Sequence, residues 1–291
     1  MTTRILIPLD GSCCAERALC CATALGAQLP AEFVLFRAIS IPPHIPEALD
    51  GAGVESDASL EAIEANASAY VKSVAQRLSP NDGPGVCSVV RRGPAADAIV
   101  DYARQADVQM IVMASKDYGS TKRRTHGSVA ERVVRTAGIP VLLVHAQGKS
   151  PCNTRPTACE RILVPLDGTS TAEQILTPAT AVTRALGCEM ILFQASFAFL
   201  FDCSTQAAER MAKTYLAGVA ERLEREKIKV STAVETGPVA ETITEFADTH
   251  QVDMIAMSTH ARAGISRFAL GSVAAQVRHM ASTPIMLVRA A

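Results

Sequence analysis

The chain repeats itself once. Gly127-Ser128-Val129-Ala130 returns 144 residues later as Gly271-Ser272-Val273-Ala274. The same offset lays Val108 on Val252, Gly93-Pro94 on Gly237-Pro238, and Pro140-Val141-Leu142-Leu143-Val144 on Pro284-Ile285-Met286-Leu287-Val288. At the front, Ile5-Leu6-Ile7-Pro8-Leu9-Asp10-Gly11-Ser12 matches Ile162-Leu163-Val164-Pro165-Leu166-Asp167-Gly168-Thr169 at an offset of 157, so the first copy holds 13 additional residues (157 less 144) between these blocks. Two copies of about 145 residues are two domains of ordinary size, not a solenoid of short units. The expected division is residues 1–146, a linker over 147–160 that carries Gly148, Ser150, Pro151, Asn153 and Pro156 without periodicity, and residues 161–291.

Within each copy, short aliphatic runs alternate with helical patterns. In the first, strands are predicted over 4–9, 33–39, 86–90, 110–114 and 140–144. Helices are predicted from Ser12 to about Leu25, over 58–78, from Gly93 through Gln105 and over 128–137. Pro42, Pro43 and Pro46 open a loop that should run to about Asp57 and hold most of the additional residues. The second copy predicts strands over 161–166, 190–195, 230–234, 254–257 and 285–288, and helices over 171–186, 205–226, 239–249 and 273–280. Continuous apolar strands that alternate with helices indicate a parallel sheet covered on both faces.

Composition supports a compact chain. Of 291 residues 48% are hydrophobic, enough for two cores, and the absence of Trp with only 4% aromatics implies aliphatic packing. A net charge of −1 provides no general field for nucleic acid or an acidic membrane surface. No apolar run approaches the roughly 20 residues of a membrane span, and no signal-peptide core follows Met1, so a cytoplasmic protein is expected. The nine cysteines, an odd number in mostly apolar contexts, read as reduced core thiols. Cys13, Cys14, Cys20 and Cys21 lack the C-x₂₋₄-C spacing of zinc sites, so core packing is favoured over metal or redox chemistry.

Ligands of open parallel sheets bind beyond the carboxyl ends of the strands, at the switch point, which directs attention to the loops after the first and fourth strands. Those loops carry the repeated motifs. Asp10 and Asp167 can accept from an amino or ribose hydroxyl group, although Asp-Gly-Ser/Thr is equally an ordinary strand-to-helix cap. Gly127-Ser128 and Gly271-Ser272 stand where a helix starts, with unpaired N–H groups and the positive end of the helix dipole available to a phosphate. A plain N-cap is the alternative, and the duplication shifts the reading toward an anion site.

These motifs resemble the universal stress protein family along nearly the whole of both copies. The resemblance rests on I-L-x-P-L-D-G-[ST], Gly-Pro before the third helix, a Met in the fourth strand, Gly-Ser-Val-Ala, the terminal Pro-[VI]-[LM]-L-V strand, and Ser258-Thr259-His260 in the second copy. It implies two flavodoxin-like (HUP-type) α/β domains, each a five-stranded parallel sheet with helices on both faces. It also implies ATP or another adenine nucleotide as ligand, with Mg as an optional companion, held in the nucleotide-binding branch by G-x₂-G-x₉-G-[ST]. The Asp after strand one contacts adenine in that branch. Carried over, the second copy's site comprises Pro165, Asp167, Gly168, Ala195, Ser258, His260, Ala261, Arg262, Gly271, Ser272 and Val273, with Asp10, Gly127 and Ser128 in the first.

The match is partial. Ser258 and Ala261 replace the first two glycines in the second copy, and Ala114 and Asp117 replace them in the first. An aspartate beside a triphosphate is repelled by several kcal/mol at an effective dielectric of roughly 20. Lys116, Lys122, Arg123 and Arg124 share that loop, more simply read as solvated surface, and Arg262, Arg267 and His260 are phosphate partners or surface charge with equal weight. Gly148-Lys149-Ser150 is not a P-loop, since Leu143 occupies its first glycine position. The leading expectation is therefore a non-enzymatic binding module in stress response that uses mainly its second half. An interaction protein without nucleotide is the alternative, and a slow ATP hydrolase has least support, because no general base is placed. The resemblance also implies antiparallel pairing of last strands, here between the two halves of one chain, with a homodimer as an optional further contact.

Overall fold

The computed structural model describes residues 2–28, 30–40, 53–78, 85–115, 129–145, 159–196, 205–259 and 271–290. The first half runs β1 (Thr3–Pro8), α1 (Cys13–Gly26), β2 (Ala31–Ile39), α2 (Gly53–Leu78), β3 (Val86–Arg92), α3 (Ala95–Gln105), β4 (Met110–Ser115), α4 (Val129–Thr136) and β5 (Val141–His145). The second runs β6 (Arg161–Pro165), α5 (Ser170–Glu173), α6 (Leu176–Leu186), β7 (Glu189–Ser196), α7 (Thr205–Arg225), β8 (Lys229–Thr236), α8 (Val239–Thr249), β9 (Met254–Thr259), α9 (Ser272–Met280) and β10 (Ile285–Arg289).

The strands order as β3-β2-β1-β4-β5-β10-β9-β6-β7-β8. Each half is thus a five-stranded parallel α/β sheet whose chain reverses direction across the sheet between β1 and β4, or between β6 and β9. Ile5 pairs with Met110 and Ile162 with Met254 at those junctions. Between the halves, β10 lies antiparallel to β5, with Ile285 opposite Leu143, Met286 opposite Leu142 and Leu287 opposite Val141.

Opposed residues of a ladder share a face, and both cores follow that rule across this junction. Leu142 and Met286 enter the layer packed by α1, α2, α6 and α7. Leu143, Ile285, Val141 and Leu287 enter the layer packed by α3, α4, α8 and α9. Each apolar layer therefore extends through both halves, where composition alone implied one core per copy. Arg289 adds a polar tie by donating from Nη1 to the Arg135 carbonyl at 2.9 Å.

Two elements depart from expectation. The helix predicted over 171–186 is divided into α5 and α6, because Pro178 has no N–H for the Gln174 carbonyl and its ring crowds the preceding turn. The bonds bridging the break are the tighter i→i−3 kind, Gln174 N to Thr171 O at 3.4 Å and Ile175 N to Ala172 O at 3.3 Å. The loop expected to reach Asp57 ends sooner, since α2 already begins at Gly53.

A repeated clamp fixes the additional residues. Glu16 accepts from the Tyr70 hydroxyl at 2.9 Å and from Arg77 at 2.9 Å, while Glu173 accepts from Tyr215 at 2.9 Å and from Arg222 at 2.7 Å. From Ile39 to Tyr70 is 31 residues and from the equivalent Ser196 to Tyr215 is 19, so twelve of the 13 lie before the clamp. Five separate strand from helix (40–52 against 197–204) and seven lengthen the start of α2, where the proline-rich loop was expected to hold most of them. Burial, and then the bond to the glutamate, pushes both tyrosine hydroxyls well above the usual phenol range.

Among the described residues Cys13, Cys14, Cys21, Cys87, Cys159 and Cys188 are free. Cys20 is disulfide-bonded, which corrects the uniformly reduced reading; it is only half-buried on α1, where its sulfur is not confined to the core. No described helix is long and apolar enough to cross a membrane.

Candidate functional site

The carboxyl ends of β6, β7 and β9 converge on the start of α9. After β6 the chain turns through Asp167 and Gly168, where Gly168 has φ +84°, a conformation that a side chain would strain. Asp167 Oδ1 accepts from the Thr169 backbone N–H at 2.9 Å and from its hydroxyl at 2.6 Å. Thr169 in turn caps α5, its Oγ1 accepting from Ala172 N at 3.1 Å. The cap and the acceptor readings of Asp-Gly-Thr are therefore compatible. Oδ1 holds the turn, and these bonds leave Oδ2 for a ligand.

Across the cleft, the N-cap of α9 is Gly271, which has no side chain to bond the first turn. Ser272 is already helical and exposed, so the ordinary Ser-cap reading does not apply here. The first intrahelical bond runs from Ala275 N to Gly271 O at 2.9 Å. Ahead of it, no side chain of the described residues caps the N–H groups of the first turn, the arrangement that attracts an anion. Ser258, at the first glycine position of the motif, donates from Oγ to the Ala172 carbonyl at 3.2 Å. Its hydroxyl thus satisfies a carbonyl at the end of α5.

A cavity of about 270 Å³ joins these parts. Of the residues predicted from sequence, it brings together Pro165, Asp167, Ala195, Ser258, Gly271, Ser272 and Val273. Gly168 shapes the turn without lining the cavity. His260, Ala261 and Arg262 lie outside the described residues, as do Gly127 and Ser128 of the first half. Sequence reasoning missed Leu166, Ala172, Val239, Ile243, Met257 and Ala274, which give the cavity its apolar walls. The repeated Gly-Pro step and fourth-strand Met were the available signals, since Val239 follows Pro238 and Met257 is in β9. The result is a largely apolar cavity lined by one carboxylate, Asp167, and by the start of α9. Among the described residues no group of three or more His, Cys, Asp or Glu is arranged to hold a metal.

The first half repeats the turn. Gly11 has φ +83°, and Asp10 Oδ1 accepts from Ser12 N at 2.9 Å and from the Ser12 hydroxyl. Arg37 lies over this turn with its guanidinium on the Tyr70 ring, 5.6 Å from the centroid. A Cβ added at Gly11 would meet Arg37 Nη1 at 2.8 Å, whereas one at Gly168 would meet nothing within 4 Å.

Comparison with known proteins agrees with this architecture. The model of the universal stress protein family matches residues 1–145 and again 159–289. A universal stress protein of Mycolicibacterium smegmatis is 25% identical over 226 residues, 75% of this chain and 74% of that protein. One of Mycobacterium tuberculosis is 27% identical over 191 residues, 63% of this chain and 62% of that protein. Among solved structures, a universal stress protein from Archaeoglobus fulgidus aligns over 98% of both chains with a TM-score of 0.73 at 20% identity, a likeness of fold.

Proposed function

Because the chain belongs, in both of its halves, to the universal stress protein family, we propose that it is a tandem binding module of stress response that takes an adenine nucleotide, with ATP the leading choice, mainly in its second half. The observation that carries this reading is the uncapped start of α9 at Gly271-Ser272, facing Asp167 across an apolar cavity. The apolar walls suit a base, Asp167 suits an amino or hydroxyl donor, and phosphates fit the positive end of α9. Ser258 and Ala261 in place of glycine narrow the backbone approach and favour modest affinity. In this reading the module acts by binding. Mg accompanies the phosphates as a counter-ion in this reading.

We assign the halves to residues 1–146 and 161–291, joined by 147–160. The β5–β10 ladder supports a pseudo-dimer inside one chain, so a further homodimer must use other surfaces. Mass spectrometry of the denatured, freshly purified protein tests the ligand, and isothermal titration with ATP, with and without Mg, tests affinity. Adenine nucleotide released in near-stoichiometric amount, or heat on titration, supports the reading. If both are absent, the chain is an interaction protein that has lost its nucleotide.

A further inference from the structure

The opposite ends of β6 and β7, away from the cleft, hold two thiols. Cys159 precedes β6 by two residues and Cys188 immediately precedes β7. Parallel pairing sets their proximity: Arg161 is in register with Glu189, and Glu189 N donates to Glu160 O at 2.8 Å. Both side chains pack on the same face of the sheet, Cys188 buried in the layer beneath α6 and α7 and Cys159 half-buried against it. The Cys188 thiol donates to the Thr183 carbonyl at 3.8 Å, and each thiol is the strongest influence on the titration of the other, as neighbours are. At an offset of 157 the first half has Thr2 and Ala31, so the pair is a property of the second copy alone.

We propose that Cys159 and Cys188 are an oxidisable dithiol, a modification site at which a hydroperoxide joins β6 to β7 by a disulfide. In the first step the Cys188 thiolate attacks one peroxide oxygen, forms a sulfenic acid and, with hydrogen peroxide, releases water. The Cys159 sulfur then attacks that sulfenic sulfur, the S–S bond forms, and the hydroxyl leaves as a second water. Two thiols lose two hydrogens and two electrons, and one peroxide becomes two waters. The pairing favours this order, because Cys159 holds the Cys188 pKa below the usual thiol range while its own is raised. The Asp253 carboxylate, which accepts from Glu160 N at 2.8 Å and Arg161 N at 3.0 Å, opposes both thiolates and restrains the rate. The sulfurs must close to about 2.05 Å, and Cys159, which lies outside the strand, is the side that can move.

The test uses the full chain and hydrogen peroxide, followed by alkylation, digestion without reductant and mass spectrometry. Beside the joined pair that holds Cys20 before any treatment, we expect one new joined peptide pair containing Cys159 and Cys188, absent without peroxide, two hydrogens lighter than the separate peptides and released by dithiothreitol. Cys21, whose thiol burial pushes up to about 11, should remain reduced at the same dose. Cys159→Ser should remove the joined pair and leave a sulfenic acid on Cys188 that dimedone traps. Readout on the unaltered protein keeps the test independent of how any variant folds. The proposal is overturned if both cysteines stay alkylatable at a dose that oxidises exposed Cys13, or if they oxidise separately to sulfonic acids without a joined pair.

Discussion

The two turns that follow β1 and β6 are the same backbone put to different use. Gly11 and Gly168 share a left-handed conformation, at φ +83° and +84°, and each is followed by a hydroxyl residue that bonds the preceding aspartate. Around them the halves part. Arg37 extends over Gly11 and rests on Tyr70, whereas its equivalent Gln194 leaves Gly168 clear. Arg37 Nη1 and Gln194 Oε1 are both buried without a hydrogen bond among the described residues, so this position carries a polar cost in each half. Duplication has kept the frame that positions a ligand and relaxed the groups that surround it, because a turn with positive φ has few alternatives while a neighbouring side chain has many.

The largest effect that tests this comparison lies where the halves meet. Leu143→Pro and Leu287→Pro occupy equivalent positions, and each removes a backbone donor at a fully buried position of its strand at a cost of roughly 3 kcal/mol or more. Together they should loosen the halves, seen as a larger radius of gyration in small-angle scattering. An unchanged radius, with the ladder broken, would mean that other contacts join the halves.

Next comes the nucleotide. Gly271→Val puts a β-branched side chain at the open start of α9 and should weaken ATP binding at least about tenfold, which is roughly 1.4 kcal/mol. Gly127→Val should change total binding much less, because Asp117 already disfavours phosphate in the first half. Equal losses by titration calorimetry would erase the asymmetry between the halves.

The clamps should behave alike. Tyr70→Phe and Tyr215→Phe each remove one hydrogen bond to a glutamate, and each should cost about 1–2 kcal/mol in urea denaturation. A clear difference between them would show that the repeated geometry is energetically unequal. Smallest of all is Arg37→Gln, which copies the second half into the first. The loss of its stacking on Tyr70 should cost about 0.5–1 kcal/mol at most, read by the same denaturation, and a larger loss would make Arg37 a structural keystone of the first half.

Much of this was legible in the chain. Central strands such as Ile5-Leu6-Ile7 and Ile162-Leu163-Val164, fully buried, are continuous aliphatic runs because both faces of a parallel sheet are covered. Asp167 and Gly271-Ser272 were identifiable because the same motifs appear twice, and Ser258 because it stands at the first glycine position of the family's phosphate motif. Pro178 was visible too, and its missing N–H explains the break between α5 and α6, but an otherwise regular apolar pattern masked it. Ile243 and Ala274 looked like ordinary core positions on amphipathic helices. Only the distance between helix and strand makes them walls of a cavity.

By itself, then, the sequence determined the number of copies, the alternation of strand and helix, the buried strands and the ends of those strands where a ligand site belongs. Those properties follow from local periodicity and from repeated turn chemistry, which each segment carries regardless of its neighbours. Tertiary structure decided the strand order, the two apolar layers that run through both halves, the covering of Gly11 by Arg37, and the meeting of Cys159 with Cys188. Each of these depends on which side chains reach one another across strands and helices far apart in the chain, and on the register that aligns them. A one-residue slip between β6 and β7 would turn the pairing of faces over, so the contact between two cysteines 29 residues apart exists only once that register is set.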